Sequence, residues 1–188
     1  MINSNLLKNN FEKFYVSKEE SNCPLILDII KIGKKLEKYN LLTKFNSVII
    51  SYKYGKRIII NANYSDLKKF KKEDLLEIID CDPIKKIILI IGQKETHYET
   101  PIHWMIHHAR KDINFILQIN NEDFLTKINN IYPSTNESLA STIDITKEIL
   151  KTLRESKKII IKNKGILFVG NNLKELNNII KELGEIIK

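Results

Sequence analysis

The chain has 188 residues, 43% of them apolar, with only four prolines and six glycines; this excludes a disordered or collagen-like polypeptide and is enough for a substantial core. Its 31 basic and 23 acidic residues leave a formal charge of +8, yet only Arg57, Arg110 and Arg154 are arginines, the side chain best suited to bidentate recognition of phosphate and base edges. The longest apolar runs, such as Ile87 to Ile91, fall far short of the about 20 residues a membrane helix needs.

The start, MINSNLLKNN, does not read as a secretory leader, and Cys23 and Cys81 are too few and too far apart for a disulfide framework or a thiolate zinc site. We therefore expect one cytoplasmic domain over residues 1–188, with 1–21 as a polar N-terminal arm and no membrane partner. The densest basic cluster, Lys68-Lys69-Phe70-Lys71-Lys72, is followed at once by Glu73 and Asp74 and reads as a solvated face. A nucleic-acid-binding module is kept only as a minor alternative.

Asn22-Cys23-Pro24 resembles a helix start with Asn22 as cap, and Leu25, Ile26, Ile29, Ile30, Leu36 and Leu42 predict a helix from about Pro24 to Tyr39. Val48 to Tyr52 and Arg57 to Ile60 are β-branched runs around Gly55 and predict a hairpin. Short helical turns over Leu67 to Leu76 precede strands at Leu76 to Ile79 and Ile84 to Ile91. A helix over Pro101 to Arg110, a strand over Asn114 to Ile119 and a short helical piece opened by Asn121 follow. Pro133-Ser134-Thr135 marks a turn, and Ser138 to Ser156 predicts a long amphipathic helix. Strands at Lys158 to Ile161 and Ile166 to Val169, broken at Lys164-Gly165, lead to a final helix with Leu173, Leu176, Ile179, Ile180 and Leu183 inward. Close strand pairs flanked by helices predict a layered α/β fold with a mostly antiparallel sheet.

All four histidines, His97, His103, His107 and His108, fall within the segment KETHYETPIHWMIHHARKDINFILQIN, Lys94 to Asn120. Glu99, His103 and His107 are four apart and share one helix face, a polar stripe able to hold a metal. A metalloprotease helix needs glutamate directly after the first histidine; Trp104 stands there, which excludes that chemistry.

The same segment resembles the class II aldolase/adducin family, whose pattern E-x-P-x-H, then R-x-D, then a strand ending H-x-H is matched here by Glu99, Pro101, His103, Arg110, Asp112 and the strand Ile113 to Leu117. Upstream, Ser51 to Ile60, Leu67 and Glu73-Asp74-Leu75 are similar to the family's hairpin and its descent to the next strand. Downstream, Lys158 to Gly170 is similar to its strand, H-G turn and strand. The resemblance implies a single three-layer α/β/α domain and a homo-oligomer, commonly a tetramer.

It also implies a zinc lyase acting on small, often phosphorylated sugars, with the two histidines of H-x-H and that of H-G on the metal and the loop glutamate moving a proton. Here the three ligand positions hold Gln118, Asn120 and Lys164, two weak neutral donors and a cation, so no metal is expected at them. Glu99 survives as the acid-base residue. The phosphate-cradle positions hold Val48-Ile49, Asn61 to Tyr64 and His97-Tyr98, bulky at two places, so the same phosphate pocket is not expected.

Asn61, His97, Gln118 and Asn120 are the candidate binding residues, and Glu99 and Lys164 the candidate catalytic ones. The reading favoured by these replacements is a ligand-binding or oligomeric interaction protein that has lost zinc-dependent aldol cleavage, with Glu99 paired to Lys164 where zinc would sit. The alternative is an aldolase-type lyase acting on a small sugar or sugar phosphate, through relocated metal ligands such as His103 and His107 or a Schiff base on Lys164. Whether the protein is an enzyme stays open at this point; zinc is expected only if the site has been rebuilt. Arg110 and Asp112 are expected to be a structural pair ending their helix, and Trp104 and Met105 to be packing residues.

Overall fold

The computed structural model describes residues 11–42, 47–128, 131–136, 141–154 and 156–187. Among these described residues eight strands form one sheet: β1 (Glu12–Ser17), β2 (Ser47–Tyr54), β3 (Arg57–Asn61), β4 (Leu75–Asp82), β5 (Ile87–Ile91), β6 (Phe115–Asn120), β7 (Lys158–Ile161) and β8 (Gly165–Gly170). The described residues also form five α-helices: α1 (Ile26–Lys38), α2 (Thr100–Ala109), α3 (Glu122–Ile128), α4 (Thr142–Thr152) and α5 (Leu173–Ile187). The strand order is β1-β5-β4-β3-β2-β6-β8-β7. Every pairing is antiparallel except that of β1 with β5.

Strand alternation sorts the core into two faces. Val48 and Ile50 of β2, and Phe115, Leu117 and Ile119 of β6, point to the side covered by α1, α3 and α5, where Ile29, Leu36, Phe124, Leu176, Ile180 and Leu183 meet them. Ile116 of β6 and Leu167 and Val169 of β8 point to the other side, against Ile102 and Ile106 of α2 and Ile149 of α4. The chain is thus a three-layer α/β/α structure. Each fully buried Leu or Ile contributes about 1.5–3 kcal/mol relative to exposure, so the apolar stripe of α5 anchors that helix firmly.

Several expectations shift by a turn. Helix α1 begins at Ile26 with Leu25 as its N-cap, so Asn22 does not cap it; Cys23 and Pro24 instead form a turn closed by Ile26 N–H to the Cys23 carbonyl. Helix α4 is shorter than Ser138 to Ser156: Ser141 is its cap and its hydroxyl accepts from Asp144 N–H, while Leu139 lies outside the described residues. The two turns of Leu67–Lys69 and Lys72–Asp74 are 3-10 helices. The N-terminal arm contributes a strand: Glu12–Ser17 adds itself to the sheet edge beside β5, leaving Phe14 and Val16 partly exposed.

The basic cluster is interleaved with acids in space as in sequence, Lys68 facing Glu37, Lys71 facing Glu73 and Lys72 facing Glu20. Among the described residues no helix is long and apolar enough to cross a membrane.

Candidate functional site

Strand geometry brings one polar set together on the α2 face. Residues 49, 51, 116, 118 and 120 alternate onto that side, and in the β2–β6 register Ile49 pairs with Gln118 and Ser51 with Ile116. Ser51, Gln118 and Asn120 therefore look up at α2, which lays His103 and His107 over them one turn apart. Glu99 is the N-cap of α2, and its carbonyl accepts from His103 N–H, so the helix start fixes where its carboxylate projects.

Lys164 arrives from the β7–β8 turn. Gly165 is required behind it, because a Cβ there would sit 2.0 Å from the Ile119 carbonyl oxygen and 2.7 Å from the Asn120 Cα. That close approach sets Lys164 directly over the end of β6. Its ammonium lies 3.1 Å from Glu99 Oε1 and 4.6 Å from the centre of the Tyr98 ring.

The side chains form a continuous chain. Asn120 Nδ2 donates to Glu99 Oε1 at 2.8 Å, and Gln118 Nε2 donates to Asn120 Oδ1 at 2.7 Å. Gln118 Oε1 lies 3.1 Å from His103 Nε2, and His103 Nδ1 lies 2.8 Å from Ser51 Oγ. The same Ser51 oxygen lies 2.9 Å from His107 Nε2, and His107 Nδ1 reaches the Ile113 carbonyl oxygen at 3.4 Å. Ser51, Glu99, His103, His107 and Gln118 are all buried.

Electrostatics follow burial and the ion pair. Desolvation is the largest influence on the Glu99 carboxyl and would raise it, but the charge and hydrogen bond of Lys164, together with His97 and Tyr98, outweigh it and hold the group below its ordinary value. Desolvation lowers His103 to about 4 and His107 to about 3, so both imidazoles are neutral at pH 7. His97 is likewise lowered to about 4, chiefly by burial. Glu99 Oε2 is buried with no hydrogen-bond partner among the described residues.

The candidates named from sequence divide into two groups. Glu99, Lys164, Gln118, Asn120, His103 and His107 are brought together. Asn61 and His97 form a hydrogen-bonded pair of their own, with His97 still near enough to interact electrostatically with Glu99 and His103: Asn61 Oδ1 accepts from Ile50 N–H, and its Nδ2 donates to the Val48 carbonyl and lies 3.2 Å from His97 Nε2. Both are buried, and these contacts tie β3 and the loop before α2 to β2. Arg110 and Asp112 form the expected bidentate pair, at 2.8 and 2.7 Å. Trp104 stacks on His108 with ring centres 3.7 Å apart. Sequence reasoning missed Ser51, which joins the two histidines; its only signal is a hydroxyl directly after the Val48-Ile49-Ile50 run of β2.

An open cleft of about 480 Å³ adjoins the ion pair, lined by Asn120, Asn121, Glu122, Asp123, Asn163 and Lys164. Glu122 and Asp123 are exposed on its rim.

Residues 27–126, just over half of the chain, match the Class II Aldolase and Adducin N-terminal domain, and the chain belongs to that family. Among solved structures it is similar to an L-fuculose 1-phosphate aldolase, with 19% identity and a TM-score of 0.70 over 89% of this chain and 85% of that one. It is similar also to the L-fuculose-1-phosphate aldolase from Thermus thermophilus, with 12% identity and a TM-score of 0.66 over 87% and 91% of the two chains. A sugar-phosphate aldolase from Thermotoga maritima gives 15% identity and a TM-score of 0.64 over 86% and 91%. At such identities these likenesses establish the fold. No curated protein matches the chain significantly in sequence.

The donors at the positions that the resemblance assigns to zinc do not fit that ion. Asn120 Oδ1 is occupied by Gln118, Gln118 Oε1 faces His103, and the third position presents an ammonium. His103 and His107 turn their inner nitrogens on Ser51 rather than on a common open point. Among the described residues no three His, Cys, Asp or Glu side chains are grouped to hold a metal.

Proposed function

We propose that this is a class II aldolase/adducin family member in which the Glu99–Lys164 ion pair takes the place of the metal, and that it binds a small carbonyl or sugar ligand in the adjoining cleft without zinc-dependent aldol cleavage. The observation that carries this reading is the 3.1 Å contact between Lys164 Nζ and the buried Glu99 carboxylate. A cation at that place satisfies the charge of Glu99 as a metal would, and it lacks a vacant orbital with which to polarise a carbonyl. The cleft is lined throughout by polar side chains, Asn120, Asn121, Asn163 and Lys164 with Glu122 and Asp123, and a polar wall of this kind suits hydroxyl and carbonyl groups.

The reading includes a single cytoplasmic domain that self-associates, as a homo-oligomer of tetramer type, with no membrane or nucleic-acid partner. The test is an aldol-cleavage assay on sugars and sugar phosphates with zinc and with cobalt, alongside ligand-observed NMR with dihydroxyacetone and glyceraldehyde. We expect no metal-dependent cleavage and saturable binding weakened in Lys164→Ala. Metal-dependent turnover would overturn the reading.

A second reading rests on the partial exposure of the Lys164 side chain, 17%, at the cleft wall. If Glu99 accepts its proton, the free amine attacks a carbonyl and water leaves, giving a Schiff base. Borohydride reduction in the presence of dihydroxyacetone, followed by mass spectrometry, tests it: a reduced adduct on Lys164 would establish lysine-based lyase chemistry.

A further inference from the structure

The buried histidines lie outside the cleft, yet they are joined to Glu99 by a run of polar contacts whose protons can be counted. Six links connect Glu99 Oε1, Asn120, Gln118, His103, Ser51, His107 and the Ile113 carbonyl in sequence. Each link needs one proton. With neutral imidazoles, the two amides, two imidazoles and one hydroxyl supply one each along the run, five in all. Both ends, an ionised carboxylate and a peptide carbonyl, are acceptors only. One link must therefore lack a proton.

The geometry says which. The Asn120 amide must donate to anionic Glu99, so its oxygen faces Gln118, which must donate in turn and present its own oxygen to His103. His103 then carries its proton on Nε2 and offers Nδ1 as an acceptor. The Ser51 hydroxyl fills that acceptor, leaving its oxygen to accept from His107 Nε2–H. The unfilled link falls between His107 Nδ1 and the Ile113 carbonyl, at 3.4 Å the longest of the six. All five donors point towards Glu99. If the group at position 99 becomes a neutral donor, all six links can be made with every donor pointing the other way and both imidazoles protonated on Nδ1.

We propose that Ser51, His103 and His107 are positioning residues for Glu99: with Gln118 and Asn120 they form one hydrogen-bonded chain whose direction follows the proton on Glu99 and which, in its resting direction, holds that group as an anionic acceptor. The chain transmits the charge state of the cleft to the last turn of α2 without moving the backbone. The charged and titratable groups facing it are Lys164, His97 and Tyr98 around Glu99, Glu99, His97 and Lys164 around His103, and His103, Lys53 and His108 around His107. The inference depends on these contacts and on the charge states of Glu99 and the two imidazoles, not on the ligand-binding reading, so either can fail without the other.

The experiment is long-range proton–nitrogen correlation NMR on the full chain labelled with ¹⁵N-histidine, which reads the tautomer of each ring directly. At pH 7 the wild-type protein is expected to show Nε2–H for both His103 and His107. In Glu99→Gln/Lys164→Met, where the side chain at position 99 is free to donate to Asn120, both rings are expected to convert predominantly to Nδ1–H. A merely structural role for the histidines would not move the tautomers. Nδ1–H on His107 in the wild-type protein overturns the proposal by itself, whether or not the double variant folds. Unchanged tautomers in a folded double variant overturn it equally.

Discussion

Lys164 Nζ lies 3.1 Å from Glu99 Oε1, in a pair whose acid is 1% exposed and whose base is 17% exposed by side chain. The two residues are 65 positions apart and come from a helix N-cap and a strand turn. Gly165 forces their meeting by letting the β7–β8 turn settle onto the end of β6.

Removing only the cation leaves a buried carboxylate without a counter-ion. Lys164→Met should lower stability by about 3 kcal/mol at pH 7, and Glu99→Gln/Lys164→Met should recover most of it. Because Glu99 is held below its ordinary value, its contribution is full above the unfolded carboxyl value and fades as pH falls through the folded one. The deficit of Lys164→Met should accordingly shrink in acid. Urea unfolding at pH 7 and pH 4 checks both statements.

The buried histidines give a second pH window. Their folded values, about 4 for His97 and His103 and about 3 for His107, lie below the ordinary imidazole value, so the unfolded chain takes up protons first as pH falls. Stability contributed by keeping them neutral is complete above about pH 6.5 and is lost progressively towards pH 4 and 3. A thermal scan series should show the steepest fall in midpoint across that interval. In His107→Gln the fall should be shallower.

Gly165→Ala tests the close approach behind Lys164. The added methyl would meet the Ile119 carbonyl oxygen at 2.0 Å, against backbone that cannot swing aside. A loss of about 2–4 kcal/mol is expected from overpacking of this kind, together with a change in the environment of Lys164. Gly55→Ala, in the β2–β3 turn with open space around it, should cost only about 1 kcal/mol through its positive φ of 61°. Equilibrium unfolding of both variants makes the comparison.

Arg57 supports a second buried acid. Glu77 is 4% exposed and is held by Arg57 at 2.6 Å and by the Ser21 hydroxyl. Arg57→Ala should destabilise by about 1–3 kcal/mol. It should also loosen the segment around Ser21, seen as faster amide exchange over residues 18–24.

Much of this architecture is legible in the sequence, because local pattern and tertiary demand agree. The β-branched runs of β2 and β3 around Gly55, the apolar stripe of α5 and the E-x-P-x-H start of α2 each carry their own signal. Strand β1 is not legible in the same way. Its partner β5 lies far along the chain, with Glu12 opposite Ile87, and its Phe14 and Val16 remain partly exposed, so no inward stripe marks it. Of the site, the Glu99–Lys164 pair follows from family resemblance and the charge left by missing histidines. The role of Ser51 does not, because it depends on a β2–β6 register that places a single hydroxyl between two rings one helical turn apart. Asn61 and His97 carry family positions, yet their polar atoms are turned on β2 and each other.

The most direct test of the central claim is the metal content of purified, tag-free protein by plasma mass spectrometry, before and after incubation with zinc or cobalt. A Lys164 ammonium in place of the metal predicts far less than one equivalent in either state, with Glu99→Ala no different from wild type. Near-stoichiometric metal that disappears in His103→Ala or Glu99→Ala would contradict the account and place a working metal centre in this chain.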